Sequence, residues 1–466
     1  MLNDIYMPLG KKDGAVVKNP FPGASRLVIG PSGTSKSTGV VTPLLQILLP
    51  YQNVCVTCND PKDGEQYAQF KAVCEKHGRR RFGLIDDSGQ FGFDNPDRIV
   101  INNLNSIIAT AEHKPAELFF AIETATHGII PEVEDGKRNY IFREYPRQGI
   151  HLCIRAILET RMDLLTMGTV YSSMADPITW RSLREGAVRD GSLALKARAQ
   201  ASLDLEDREP EAYYKHHMAA VSAMQCYEPG SFLHSAGEDA THTHDQLAQE
   251  GWMVFHVMPQ RLASRIGIHM TLHQQCFMDA QLSGRGGHMI NIIDEMCNSS
   301  QKDEVERVTI QRSYNKANVY IAQTLADIEQ KYGKHQLNVL MDNCPVIQFL
   351  GFGSETDAEK VSRAMGEEIA IQESMGINPE RMEITGNIST TKQRVMSATE
   401  LLNLPPEKQV IYLRGYGWIV CDKLRSNNIE PTCHDLAPNP LEGNRVLPPD
   451  PKITLPTTPE ELKCAS

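Results

Sequence analysis

The chain has 466 residues, 41% hydrophobic and 23% charged, with a formal net charge of −11. Such a length exceeds one compact core, so two domains, or one domain carrying an insertion, are expected. The acidic balance excludes a simple basic nucleic-acid-binding module and leaves room only for a local basic channel.

The first residues, MLNDIYMPLGKKDG, hold no signal-peptide apolar region, and no stretch approaches the ~20 apolar residues of a membrane helix. A cytoplasmic protein, recruited to the inner membrane only by partners, is the expectation. Eleven cysteines are scattered along the chain, some inside apolar runs as at Cys153 and Cys421. That usage fits free buried thiols in a reducing compartment.

Residues 26–41 read RLVIGPSGTSKSTGVV. A buried strand at 27–29 runs into a glycine-bearing loop, a Lys-Ser pair and a helix-compatible apolar segment. This is the layout of a phosphate-binding loop: backbone N–H groups curl round an anion and a lysine reaches the terminal phosphates. Gly30, Gly33, Thr34, Ser35, Lys36, Ser37 and Thr38 are the nucleotide contacts it predicts, with the Ser37 hydroxyl on Mg²⁺. Ser35 stands where the pattern has glycine. A plain Gly/Ser turn between strand and helix is the alternative.

Residues 53–57 (NVCVT) read as a second buried strand. Cys55 and Cys58 have C-x-x-C spacing, but residues three apart on a strand face opposite sides, so core packing is favoured over a metal or redox pair. A helix is expected over 64–77 and a third strand over 82–85, with the arginines 79–81 at a solvated helix end or, alternatively, on DNA phosphates. Alternating strands and helices predict a parallel α/β sheet.

From residue 96 to 226 helical spacing dominates, at 103–112, 115–126, 146–159, 192–205 and 211–224. This predicts an all-helical insertion of ~130 residues. His234, His242, His244 and Asp245 fit no standard metal spacing and read as a solvated loop. Strands return at 251–259 and, after a helix at 272–282, at 289–293, which ends in Asp294-Glu295. A carboxylate at the tip of a buried parallel strand can hold Mg²⁺, and its neighbour can polarise water. Asp294 is therefore the metal candidate and Glu295 the general base, with an ordinary acidic strand end as the alternative. Further strands at 319–322 and 346–351 bring Gln323 to the ligand-binding edge of the sheet. Arg312 precedes the first of these, as a phosphoryl-stabilising cation or a surface ion pair. Residues 437–466 are proline-rich and predicted extended or disordered.

The order of motifs resembles the TraG/TraD group of coupling ATPases of type IV secretion and bacterial conjugation. The resemblance rests on GPSGTSKSTGVVTPLL (30–45), NDPKDGEQY (59–67), DEMCN (294–298), AQTLADIEQKYGK (322–334), DNCPVIQFLGFGSETDAEKVSRAMG (342–366) and LPPEKQVIYLRG (404–415). It implies a RecA/FtsK-like P-loop ATPase domain with an inserted all-α domain. The divisions expected are 1–98 and 236–435 for the nucleotide-binding domain, 99–235 for the insertion and 436–466 for a flexible tail. It also implies ATP and Mg²⁺ as cofactors, a hexameric ring, relaxase-bound DNA or effector proteins as substrates, and secretion-channel components as partners. By motif match Lys36, Glu295, Gln323 and Arg312 become the catalytic set, with Arg312 acting across a subunit interface. Ser37 and Asp294 become the metal set. Ser35 and an extra Asp63 depart from the family pattern, and the family's amino-terminal membrane helices have no counterpart here. Two other functions stay open: a soluble FtsK/HerA-like DNA translocase, and a weakly or non-hydrolysing ATP-binding adaptor that recruits cargo.

Overall fold

The short apolar runs become strands of one sheet, because their side chains have packed layers to enter on both faces. The computed structural model describes residues 2–132, 139–282, 287–298, 305, 308–378, 383–439 and 443–456, and the side chains of all these except 370–391. In chain order the strands are β1 (Pro8–Lys12), β2 (Ala15–Lys18), β3 (Arg26–Ile29), β4 (Val54–Asp60), β5 (Phe82–Ile85), β6 (Met253–Val257), β7 (His288–Ile293), β8 (Lys316–Ala322), β9 (Val346–Phe349), β10 (Glu367–Asn378), β11 (Glu383–Arg394), β12 (Lys408–Leu413) and β13 (Gly417–Lys423).

Eleven of these form one sheet in the order β2-β1-β13-β12-β9-β3-β8-β7-β4-β6-β5. The seven from β9 to β5 are all parallel, as strand–helix alternation predicts. The other four are antiparallel and extend one edge. Along β3, Val28 packs into one apolar layer and Leu27 and Ile29 into the other. Cys58 and Cys55 likewise enter different clusters, so their spacing serves packing. The hairpin β10–β11 pairs twelve residues with twelve and has no clear signal in the sequence.

Between β5 and β6 the regular elements are helical, from Asn105–His113 to His244–Glu250. Two of the helices, Met167–Ala175 and Pro177–Asp190, are additions to the five expected ones. Their starts are set by Thr166 and Asp176, whose side chains accept from the backbone N–H of Thr169 and Thr179. The helix expected from residue 146 begins earlier, at Tyr140, and carries Pro146 inside it. A single apolar cluster runs through these helices and onto Met258, Ala263, Ile266 and Met270. The helical part therefore shares its core with the long helix Ala263–Leu282, which begins nine residues before the expected 272. Among the described residues, no helix is long and apolar enough to cross a membrane.

Three expectations are corrected. Arg79 is not at a solvated helix end: it is 2% exposed and donates to the carbonyls of Tyr51 (2.8 Å), Val54 (2.8 Å) and Gly251 (2.6 Å). Burial pushes its guanidinium down to about 10. It ties the start of β4 to the start of β6 and cannot reach DNA. Arg79→Met removes the guanidinium donors from those carbonyls, so a loss of about 3 kcal/mol is expected in denaturant unfolding; a loss under about 1 kcal/mol contradicts this role. The proline-rich tail is not free over 443–456. Ile453–Thr454 pairs in parallel with Ile429–Glu430, and Ile453 and Leu455 are buried in the sheet's core. Two apolar side chains with a place to go outweigh the local preference for extended disorder. Residues 457–466 lie outside the described residues. Finally, His244 is not in a solvated loop. It opens the helix His244–Glu250 and is buried, because a second histidine, His273, meets it at 3.0 Å.

Candidate active site

Parallel strands end on one side of the sheet, and the register brings their tips together. Ile29 of β3 pairs with Ala322 of β8, Ile293 of β7 pairs with Asn59 of β4, and β8 lies between β3 and β7. The residues that follow, Gly30, Gln323, Asp294 and Asp60, therefore share one edge.

The loop leaves β3 with Gly30, where a Cβ would sit 2.6 Å from Thr34 Oγ1. That hydroxyl donates to Pro31 O at 2.7 Å and pins the turn. Gly33 has φ +82° and Ser35 φ +67°. Ser35 thus adopts the left-handed conformation that the missing glycine would take. The strain is about 1 kcal/mol, and a glycine there would cost ~0.5–1 kcal/mol in unfolded-chain entropy. Ser35→Gly is accordingly expected to change unfolding free energy by less than about 0.5 kcal/mol in urea titration. Ser37 and Thr38 open a wide helical turn, Ser37–Val41, which leads into the helix Thr42–Leu48.

The Lys36 ammonium is buried. It donates to Gly30 O at 2.8 Å and lies 3.5 Å from Glu295 Oε1. Gln323 Nε2 donates to Glu295 Oε2 at 3.3 Å. Glu295 is held between them by a backbone at φ +51°, an uncommon conformation for a side-chain-bearing residue and one that clusters at functional sites. Asp294, 4% exposed, accepts from Glu295 N at 3.0 Å. Beyond Glu295 an open cleft of about 460 Å³ is lined by Gln323, Asp327 and Lys331.

Three residues without an assigned role complete the arrangement. Lys62 Nζ lies 3.2 Å from both Ser37 Oγ and Asp294 Oδ2. Burial pulls Lys62 down, but Asp294, Glu65 and Glu295 outweigh it and hold the ammonium above its ordinary range. Glu65 accepts from Ser37 Oγ at 2.6 Å. Both come from the segment after β4, where Asp60 fixes the turn by accepting from the N–H of Gln66 and Tyr67. Burial first, and Glu65 beside it, push Asp60 well above the usual carboxylate range. The extra Asp63 sits at φ +52° and accepts from Gln260 N at 3.0 Å, so it joins the turn to the segment after β6. The third residue is Lys423 at the end of β13, which donates to Thr34 O at 3.3 Å and to Pro406 O at 2.8 Å. Burial, with Arg425 near, pushes it down to about 8. Lys62 and Glu65 lie within the NDPKDGEQY motif, whereas no local signal marks Lys423, 389 residues from its partner in the loop.

Arg312 is elsewhere. It lies in the turn before β8, at the opposite edge of the sheet, and seven residues of strand put about 20 Å between the two edges. Within one chain it is not part of the site.

The Ser37 hydroxyl and the Asp294 and Glu65 carboxylates form an oxygen donor set suited to Mg²⁺, which prefers hard oxygen ligands. The Lys62 ammonium already holds a positive charge between Ser37 Oγ and Asp294 Oδ2.

Residues 288–406 match the family described as the TraM recognition site of TraD and TraG. No curated protein sequence matches the chain. Among solved structures, the bacterial conjugative coupling protein TrwBdeltaN70 is similar with a TM-score of 0.66 at 15% identity, over 89% of this chain and 88% of that one. The plasmid coupling protein TrwB with a non-hydrolysable ATP analogue gives 0.65 at 13% identity, over 90% and 89%. VirB4 of Thermoanaerobacter pseudethanolicus gives 0.51 at 15% identity, over 90% and 96%. Residues 288–406 are thus similar to a TraG/TraD segment, and the chain that carries them has the fold of the conjugative coupling protein TrwBdeltaN70.

Proposed function

We propose that the chain is a coupling ATPase that binds MgATP at the loop 30–38 and uses its hydrolysis to deliver substrate to a type IV secretion or conjugation channel. The observation that carries this is the meeting of Lys36, Glu295 and Gln323 within 3.5 Å contacts, from three separate strand ends. TrwB has been solved with ADP and Mg²⁺, which supports nucleotide at the corresponding edge of this fold.

In this reading Lys36 exchanges Gly30 O and Glu295 for the terminal phosphates. Ser37 and Asp294 would hold Mg²⁺, which would supply neutralisation of the phosphate charge. Freed from Lys36, Glu295 takes the proton of the attacking water, and Gln323 orients its carboxylate. Lys62 withdraws from between Ser37 and Asp294. Arg312, too far from its own site, serves the nucleotide of a neighbouring subunit in a ring. The substrate is relaxase-bound DNA or an effector protein, and the chain works on the cytoplasmic side, held to the inner membrane by channel partners.

The test is ATP turnover with and without DNA, joined to a pull-down from the native host scored for relaxase, channel ATPases and DNA. Turnover with relaxase or channel capture supports coupling. DNA-stimulated turnover without either supports a soluble translocase. Nucleotide binding without turnover supports the adaptor, the reading favoured by the Ser35 side chain in the loop.

A further inference from the structure

Four histidines meet at the join between the sheet and the helical part, on the same edge as the nucleotide site. His256 is next to last in β6. His269 and His273 lie four apart on the helix Ala263–Leu282, and so project from one face. One ring nitrogen of each of these three lies within 4.8 Å of those of the other two, and all three are buried. The fourth, His244, holds His273 Nδ1 at 3.0 Å. Burial first, and neighbouring imidazoles after it, push His244 and His256 down to about 3 and His273 well below its usual value.

Buried polar atoms need partners, and these lack them. Nε2 of His273 has no hydrogen-bond partner among the described residues. Asp87, at the end of β5, meets His269 Nε2 at 2.9 Å. On the other side of that ring, Asn103 Nδ2 stands 3.1 Å from His269 Nδ1, while Asn103 Oδ1 is buried and unpaired. Tyr227 Oη stands 3.2 Å from the same His269 nitrogen, so the His269 ring is fixed from both sides.

We propose that His256, His269 and His273, with Asp87, form a structural site for a transition-metal ion of the Zn²⁺ class, which staples the helix Ala263–Leu282 to the tips of β5 and β6. Three imidazoles and one carboxylate are the ligand types Zn²⁺ takes in four-coordinate sites. His244 orients His273 from outside, as hydrogen-bonded outer groups do for metal-bound histidines. Its position separates this site from the nucleotide centre, whose donors are oxygens and whose strands are β3, β7 and β8.

The test uses the untagged full chain, stripped with a chelator and titrated with Co²⁺ alone, without nucleotide. About one equivalent is taken up with visible d–d absorption, Zn²⁺ displaces it, and added Zn²⁺ raises the thermal unfolding midpoint. Lys36→Ala keeps the uptake. His269→Gln and His273→Gln lose it, with folding checked by circular dichroism. Asp87→Asn weakens it by about 10–100-fold, the range for groups that support a metal site; loss of a direct ligand gives at least that. If the wild-type chain takes up no Co²⁺, the proposal is wrong. Uptake that survives both histidine substitutions also overturns it.

Discussion

Glu295→Gln is expected to lower ATP turnover by about 10²–10⁴-fold, the usual contribution of a positioned general base, while nucleotide affinity stays within about threefold. The substitution keeps the shape of the side chain. Its amide oxygen can still accept from Gln323 Nε2, now 3.3 Å away, so the backbone at φ +51° keeps its partner. The ability to take a proton is lost, together with the negative charge 3.5 Å from Lys36. A rapid-quench comparison of bound and hydrolysed nucleotide separates the two effects. Loss of binding along with turnover would assign Glu295 to the architecture of the loop instead.

Lys36→Ala is expected to act on binding. The ammonium, 6% exposed, is the cation the loop offers to a phosphate. Its removal also leaves Gly30 O without the donor at 2.8 Å and Glu295 without the charge at 3.5 Å. One charge-assisted interaction contributes about 1.5–3 kcal/mol, so ATP affinity falls by about 10–100-fold in equilibrium titration. The two variants thus fail differently: one binds and does not turn over, the other does not bind at ordinary nucleotide concentrations. Ser35→Gly, by contrast, changes folding stability little, because the serine already has φ +67°.

The parallel half of the sheet was legible because β3, β4, β6, β7 and β8 are buried along almost their whole length and leave largely apolar runs. The acidic tip of β7 and the polar tip of β8 followed from the rule that such sheets act at their C-terminal edge. The antiparallel extension was not legible. β2 and β13 are largely half-exposed, so their composition does not set them apart from loops. The helices Met167–Ala175 and Pro177–Asp190 were missed through weak apolar spacing, although Thr166, Asp176 and Pro177 are ordinary start signals. The histidines mislead for a different reason. His242 is half-buried and His244, two residues on, is buried, since only the latter meets His273. Contacts such as Lys423 with Thr34 depend on β13 folding back beside the loop, and no local pattern encodes that.

The most direct measurement is Mg²⁺-dependent ATP hydrolysis by the purified wild-type chain beside Lys36→Ala and Glu295→Gln. The arrangement of Lys36, Asp294, Glu295 and Gln323 predicts turnover in the wild type that requires Mg²⁺ and is lost in both variants. Full hydrolysis retained by both would show that the chemistry takes place elsewhere in the chain.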